Sequence, residues 1–131
     1  MTIQVGWDSS QRNIIHIIIE RGWTWDEFEQ AIQQADNLIV SVSHVVHLVV
    51  DIQQAGGLPR DWMGRAGQLF AQGEARSNEG YKVVVGAGWL IRTAYQSFAA
   101  VFAQDRPFHF AATYDEALQM IALADIPRPD R

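Results

Sequence analysis

Residues Val45 to Val50 are apolar except for His47, and Asp51 closes the run. A run this short, continuous and β-branched lacks the polar alternation of a strand that faces water on one side, so it describes a strand covered on both faces, as in a parallel sheet. That constrains the rest of the chain, because parallel neighbours need crossovers long enough for a helix and both faces need cover. With 131 residues there is room for one domain of roughly 100–150 residues and not comfortably for two.

The flanking segments supply those elements. Ile3 to Trp7 alternates and Ile14 to Ile19 is almost wholly β-branched, with Asp8, Ser9, Ser10 and Asn13 between them, which predicts a strand pair joined by a turn. A helix start follows: Thr24 can cap, Glu27 can reach back to it, and Trp23 can staple onto Phe28. Phe28, Ile32, Ala35, Ile39 and Val42 continue at helical spacing, so this helix is expected from Trp25 into the low forties. Pro59 opens a second helical pattern with Trp62, Ala66, Leu69, Phe70 and Gly73 on one face. Tyr81 to Val85 reads as a strand, Gly86-Ala87-Gly88 as its turn, and Trp89, Ile91, Tyr95, Phe98 and Phe102 as a third helix. Phe108 to Ala112 is a last strand, and Thr113 with Glu116 caps a final helix carrying Ala117, Leu118, Ile121 and Ala124. The order is β-β-α-β-α-β-α-β-α: an α/β domain over residues 1–125, with a mostly parallel four- to five-stranded sheet, an N-terminal antiparallel hairpin and a tail at 126–131.

Composition removes several functions. Hydrophobic residues at 48% against 19% charged are globular proportions, and a net charge of −5 argues against binding nucleic acid or anionic lipid. The absence of cysteine excludes disulfides, thiolate metal sites and thiol nucleophiles. The longest apolar stretch is far short of the roughly 18 residues of a membrane span. Met1 to Asp8 has neither a basic nor a continuous apolar region of the secretory kind, so a cytoplasmic location is expected.

Leu48-Val49-Val50-Asp51-Ile52, Val83-Val84-Val85-Gly86 and Thr113-Tyr114-Asp115-Glu116-Ala117-Leu118, in this element order, resemble the SpoIIAA-like (STAS/SEC14-type) family of small bacterial domains over about Ile3 to Leu123. The resemblance implies a βα superhelix with most helices on one side of the sheet, and a role in regulatory protein contacts. In the anti-sigma-factor-antagonist branch, the strand-ending Asp precedes an Asp-Ser-Ser/Thr-Gly motif that carries a phosphorylated serine. Asp51 matches the first feature, but Pro59-Arg60-Asp61-Trp62 puts Arg60 about where the serine would stand, and arginine offers no hydroxyl to phosphate.

Open sheets of this type bind ligands beyond the carboxyl ends of their strands. There the topology gathers Asp51, Gln53, Gln54, Gly57, Arg60, Trp62, Gly86, Gly88, Trp89 and Thr113, a candidate rim for a protein partner or a small apolar or anionic ligand. Gly86 and Gly88 lack the third glycine of a dinucleotide loop, and tight strand-to-helix turns account for them better than an anion site does. Period-2 counting also places Ile14, His16 and Ile18 on one sheet face with Val45, His47 and Val49, and His109 joins them if registers agree. If helices cover mainly the other side, this apolar face needs a partner, and a homodimer is the simplest cover; a helix crossing to this side is the alternative. The histidines lack the short spacing of a metal site, and no serine sits in a nucleophile turn. The reading is therefore a non-catalytic interaction domain without cofactor or metal, with a small-molecule or lipid carrier as the alternative and, behind both, an unrecognised hydrolase or isomerase using Asp51 with a histidine.

Overall fold

In the computed structural model, which describes residues 2–8, 12–57, 62, 65, 68, 69, 77–88 and 108–124, the hairpin forms as expected. Strands β1 (Ile3–Trp7) and β2 (Ile14–Glu20) pair antiparallel with Ile3 opposite Ile19 and Trp7 opposite Ile15. The Asp8 amide donates to the Ile14 carbonyl at 3.0 Å to close the pair. From β2 the chain enters helix α1 (Trp25–Val40) through the capping residues read from sequence. The Thr24 hydroxyl accepts from the Glu27 amide at 3.2 Å, and Trp23 meets Phe28 with ring centroids 6.0 Å apart.

Strand β3 (Val46–Gln54) lies parallel to β2, β4 (Glu79–Val85) parallel to β3, and β5 (Phe108–Ala111) parallel to β4, giving a five-stranded sheet in the order β1-β2-β3-β4-β5. Helix α2 (Tyr114–Ala124) follows β5. Of the helix expected from Pro59, the described positions 62, 65, 68 and 69 are helical; the third expected helix and the tail lie outside the described residues. Several boundaries differ from expectation: β2 runs one residue further, to Glu20, β4 starts two residues earlier, at Glu79, and β5 ends one residue earlier, at Ala111. β3 starts one residue later, leaving Val45 half exposed, and it runs past Asp51 because Ile52 continues the inward alternation and is buried.

The central strand is buried from both sides. Val50 and Val84 join Ile15, Ile17, Ile19, Phe28, Ala31, Ala35 and Trp62 in the larger core, under α1. Val49, Val83 and Val85 join Ile14, Ala111, Ala117 and Ile121 in a second core, under α2. The two described helices thus pack on opposite faces. Each fully buried aliphatic side chain contributes about 1.5–3 kcal/mol.

Two polar devices hold the strand starts. The Asn78 side-chain amide donates to the carbonyls of Ile39, Val42 and His44, tying the end of α1 to the start of β4. His47, only 3% exposed, accepts the Tyr81 amide on Nδ1 at 2.9 Å. Its ring fills the space a side chain at Gly80 would need, since a Cβ there would lie 2.3 Å from His47 Nδ1. Gly80→Ala is therefore expected to destabilise the fold by about 1–3 kcal/mol, and His47→Ala in the same chain to recover part of that loss. A urea-denaturation double-mutant cycle with no coupling would refute this packing.

Candidate functional site

The rim is built from three strand ends. Asp51 Oδ1 accepts the Gln53 amide at 3.0 Å and Gln53 Nε2 at 3.3 Å, which bends the end of β3 and leaves Gln53 and Gln54 exposed. Gly86, at φ +90, lies against Gln53 so closely that a Cβ would stand 3.2 Å from the Gln53 backbone. Only glycine meets both demands. The Gly86 amide donates to Ala111 at 3.0 Å, and Thr113 accepts the Glu116 amide at 3.2 Å as the cap of α2. Asp51, Gln53, Gly86 and Thr113 thus line one edge of the molecule, as expected.

Other members of the predicted rim fall elsewhere. Trp62 is 1% exposed and packs edge-on to Phe28 with centroids 5.9 Å apart, so it is a core residue and not a rim contact. Its indole nitrogen finds no hydrogen-bond partner among the described residues. Gly57 and Gly88 are exposed with open space around them, whereas Arg60 and Trp89 lie outside the described residues.

The proposed dimer face requires a larger correction. Ile14, His16, Ile18, His47, Val49 and His109 do share a face, as the registers of His16 with Val49 and Val83 with His109 require. But α2 crosses this face and covers Ile14 and Val49, which are 8% and 0% exposed, so both are core. His47 is buried as well, and Val45 stands outside the strand.

Beside α2 this face carries a chain of polar aromatics. The His16 ring stacks on Tyr114 at 4.2 Å and 13°, and the Tyr114 hydroxyl donates to Asp8 at 2.9 Å. His16 Nε2 is buried without a hydrogen bond among the described residues, 3.5 Å from Asp51 Oδ2. Burial first, then the Asp8 hydrogen bond and the charges of Asp8 and Asp51, push the Tyr114 phenol well above its ordinary range. On β5, His109 stacks on Tyr81 at 4.4 Å, and burial, aided by the Lys82 charge, holds its imidazole below the usual value of 6.5. Among the described residues no group of three His, Asp or Glu side chains is arranged to hold a metal ion.

One opening lies where the sequence reading assigned a purely structural role. A cleft of about 300 Å³ is lined by Arg21, Gly22, Trp23, Thr24, Trp25, Ala55 and Gly57, between the β2–α1 turn and the end of β3. Trp23 reads as a staple on Phe28 and Trp25 as the helix start; the signal that points to the cleft is Arg21 beside them at a strand end.

No protein-family model matches the sequence, and no curated protein matches it. Among solved structures, the chain is similar to the anti-sigma factor antagonist SpoIIAA in its unphosphorylated form, with 15% identity, a TM-score of 0.56, and coverage of 96% of this chain and 99% of that one. The fold is therefore SpoIIAA-like, an α/β sheet with an N-terminal hairpin.

Val49→Lys is expected to prevent stable folding and not to release a soluble monomer, because it buries an unpaired ammonium under α2; a well-folded monomer by sedimentation and circular dichroism would refute the assignment. His109 is expected to titrate below 6.5 in a histidine-resolved NMR pH series. Because its folded pKa is depressed, its contribution to stability is complete above about pH 6.5 and is lost as pH falls through the folded value. His109→Gln should therefore flatten part of the fall in urea midpoint between about pH 7 and pH 5.

Proposed function

We propose that the chain is a non-catalytic regulatory domain that acts by binding a protein partner, with the rim of Asp51, Gln53, Gln54, Gly86 and Thr113 as the contact. The observation that carries this reading is the end-to-end likeness in fold to an anti-sigma factor antagonist, which spans 96% of this chain and 99% of that one. Two features support it. Among the described residues, Asp51 holds Gln53 and Thr113 caps Glu116, which are turn and cap roles. No helix among the described residues is long and apolar enough to cross a membrane.

Arg60 stands about where the related branch carries its phosphorylated serine. In this reading, partner binding is consequently not switched by phosphate at that position. The cleft beside Arg21 favours a second reading, a carrier of a small molecule or lipid.

Native mass spectrometry of the chain isolated from the cells that make it distinguishes the two. A complex with a second protein is expected, and Gln53→Lys with Gln54→Lys is expected to disperse it by adding charge to the rim while changing the unfolding free energy by no more than about 0.5 kcal/mol. A chain that leaves without a protein partner and sheds a small mass on denaturation would overturn the regulatory reading in favour of the carrier.

A further inference from the structure

We propose that the cleft between the β2–α1 turn and the end of β3 is a binding site for a small planar organic anion, of the class of aromatic carboxylates. The inference holds whether the chain regulates a protein or carries a ligand. The cleft opens at the carboxyl ends of two adjacent parallel strands, the end at which open α/β sheets place their ligands. Its volume of about 300 Å³ is at the small end of the range of ligand sites, which suits one or two fused rings better than a nucleotide.

The walls specify shape. Trp23 and Trp25 meet at 84° with centroids 4.8 Å apart, forming a right-angled corner that presents a flat ring with one indole face and one indole edge. Gly22, Ala55 and Gly57 complete the lining with little or no side chain.

The charges specify sign. Arg21 borders the cleft and passes over Gly56, where a Cβ would sit 3.4 Å from its Cγ and Nε. The guanidinium carbon of Arg65 stands 4.3 Å from the centroid of the Trp25 ring that forms one wall. Among the described residues no carboxylate pairs with either arginine. Arg21 is thus the guanidinium that lines the opening, while Arg65 is engaged on the Trp25 ring. Glu27, in the first turn of α1, stays ionised, but its carboxylate is turned to the hydroxyls of Thr2 and Thr24, which hold its pKa below the ordinary value. A planar carboxylate therefore places its ring in the indole corner and its charge against Arg21, whose fork suits two oxygens at once.

The test is an NMR titration of the full chain with 2-naphthoate, with neutral 2-naphthamide as the control, read on the tryptophan indole N–H signals assigned by single Trp→Phe variants. Saturable shifts confined to Trp23 and Trp25 are expected, with the amide at least about tenfold weaker and Arg21→Gln weakening naphthoate at least about tenfold, as loss of a charge-assisted contact does. Gly57→Leu provides a second variant, because a Cβ at Gly57 meets nothing within 4 Å and the longer side chain fills the cleft without disturbing the core. It is expected to abolish the shifts with an unchanged urea midpoint. Failure to saturate, equal binding of the amide, or undiminished binding by a folded Gly57→Leu chain would each overturn the proposal.

Discussion

Two-sided burial of β3 is the constraint on which the structure depends. Val49 and Val50 are neighbours in sequence and point to opposite faces, yet they are 0% and 1% exposed. Neither face can be left open, because successive residues of a strand cannot both turn inward to one layer. α1 covers one face and α2 the other, and the sheet becomes the middle layer of the domain. The hairpin then extends the sheet on the β2 side with a strand whose residues need cover on one face only, as the alternation of buried Ile3 and exposed Gln4 reflects.

The same arrangement explains why the polar residues of the second face matter more to architecture than to chemistry. α2 is short, and its small contact residues Ala117 and Ile121 bury limited area. Its first residue compensates: Tyr114 lies flat on His16 and bonds to Asp8, so the start of the helix is anchored to both β2 and the hairpin turn. His47 plays a comparable part lower on the sheet, where it replaces a missing side chain at Gly80 and satisfies the Tyr81 amide. Histidines that look like a metal constellation in one dimension are thus spent on stacking and backbone bonds.

Function in such a layered sheet is left to the strand ends. Two regions occur there, and they differ in character. The Gln53–Gly86–Thr113 edge is polar and closed on itself by short hydrogen bonds, which suits a surface read by another protein. The Arg21–Trp25 opening is a cleft walled by two indoles and bordered by one guanidinium.

Local chemistry in the chain was sufficient to place the five strands, the parallel order and both helix caps, because Thr24 with Glu27, Thr113 with Glu116 and the β-branched runs act over only a few residues. The shared face of His16, His47, Val49 and His109 was also readable, since strand alternation carries that information. Burial of that face was not, because periodicity names which residues point the same way and is silent on which helix crosses them. The helical phase of Trp62 with Ala66 and Leu69 fits a core position as well as the rim, and its packing against Phe28 decides for the core. The cleft is the clearest case: Arg21, Trp25, Gly57 and Arg65 are scattered along the chain, and only the return of β3 beside β2 brings them together. Short-range patterns decide elements and termini, whereas occupancy of a face and the making of a cavity depend on contacts between residues far apart in sequence.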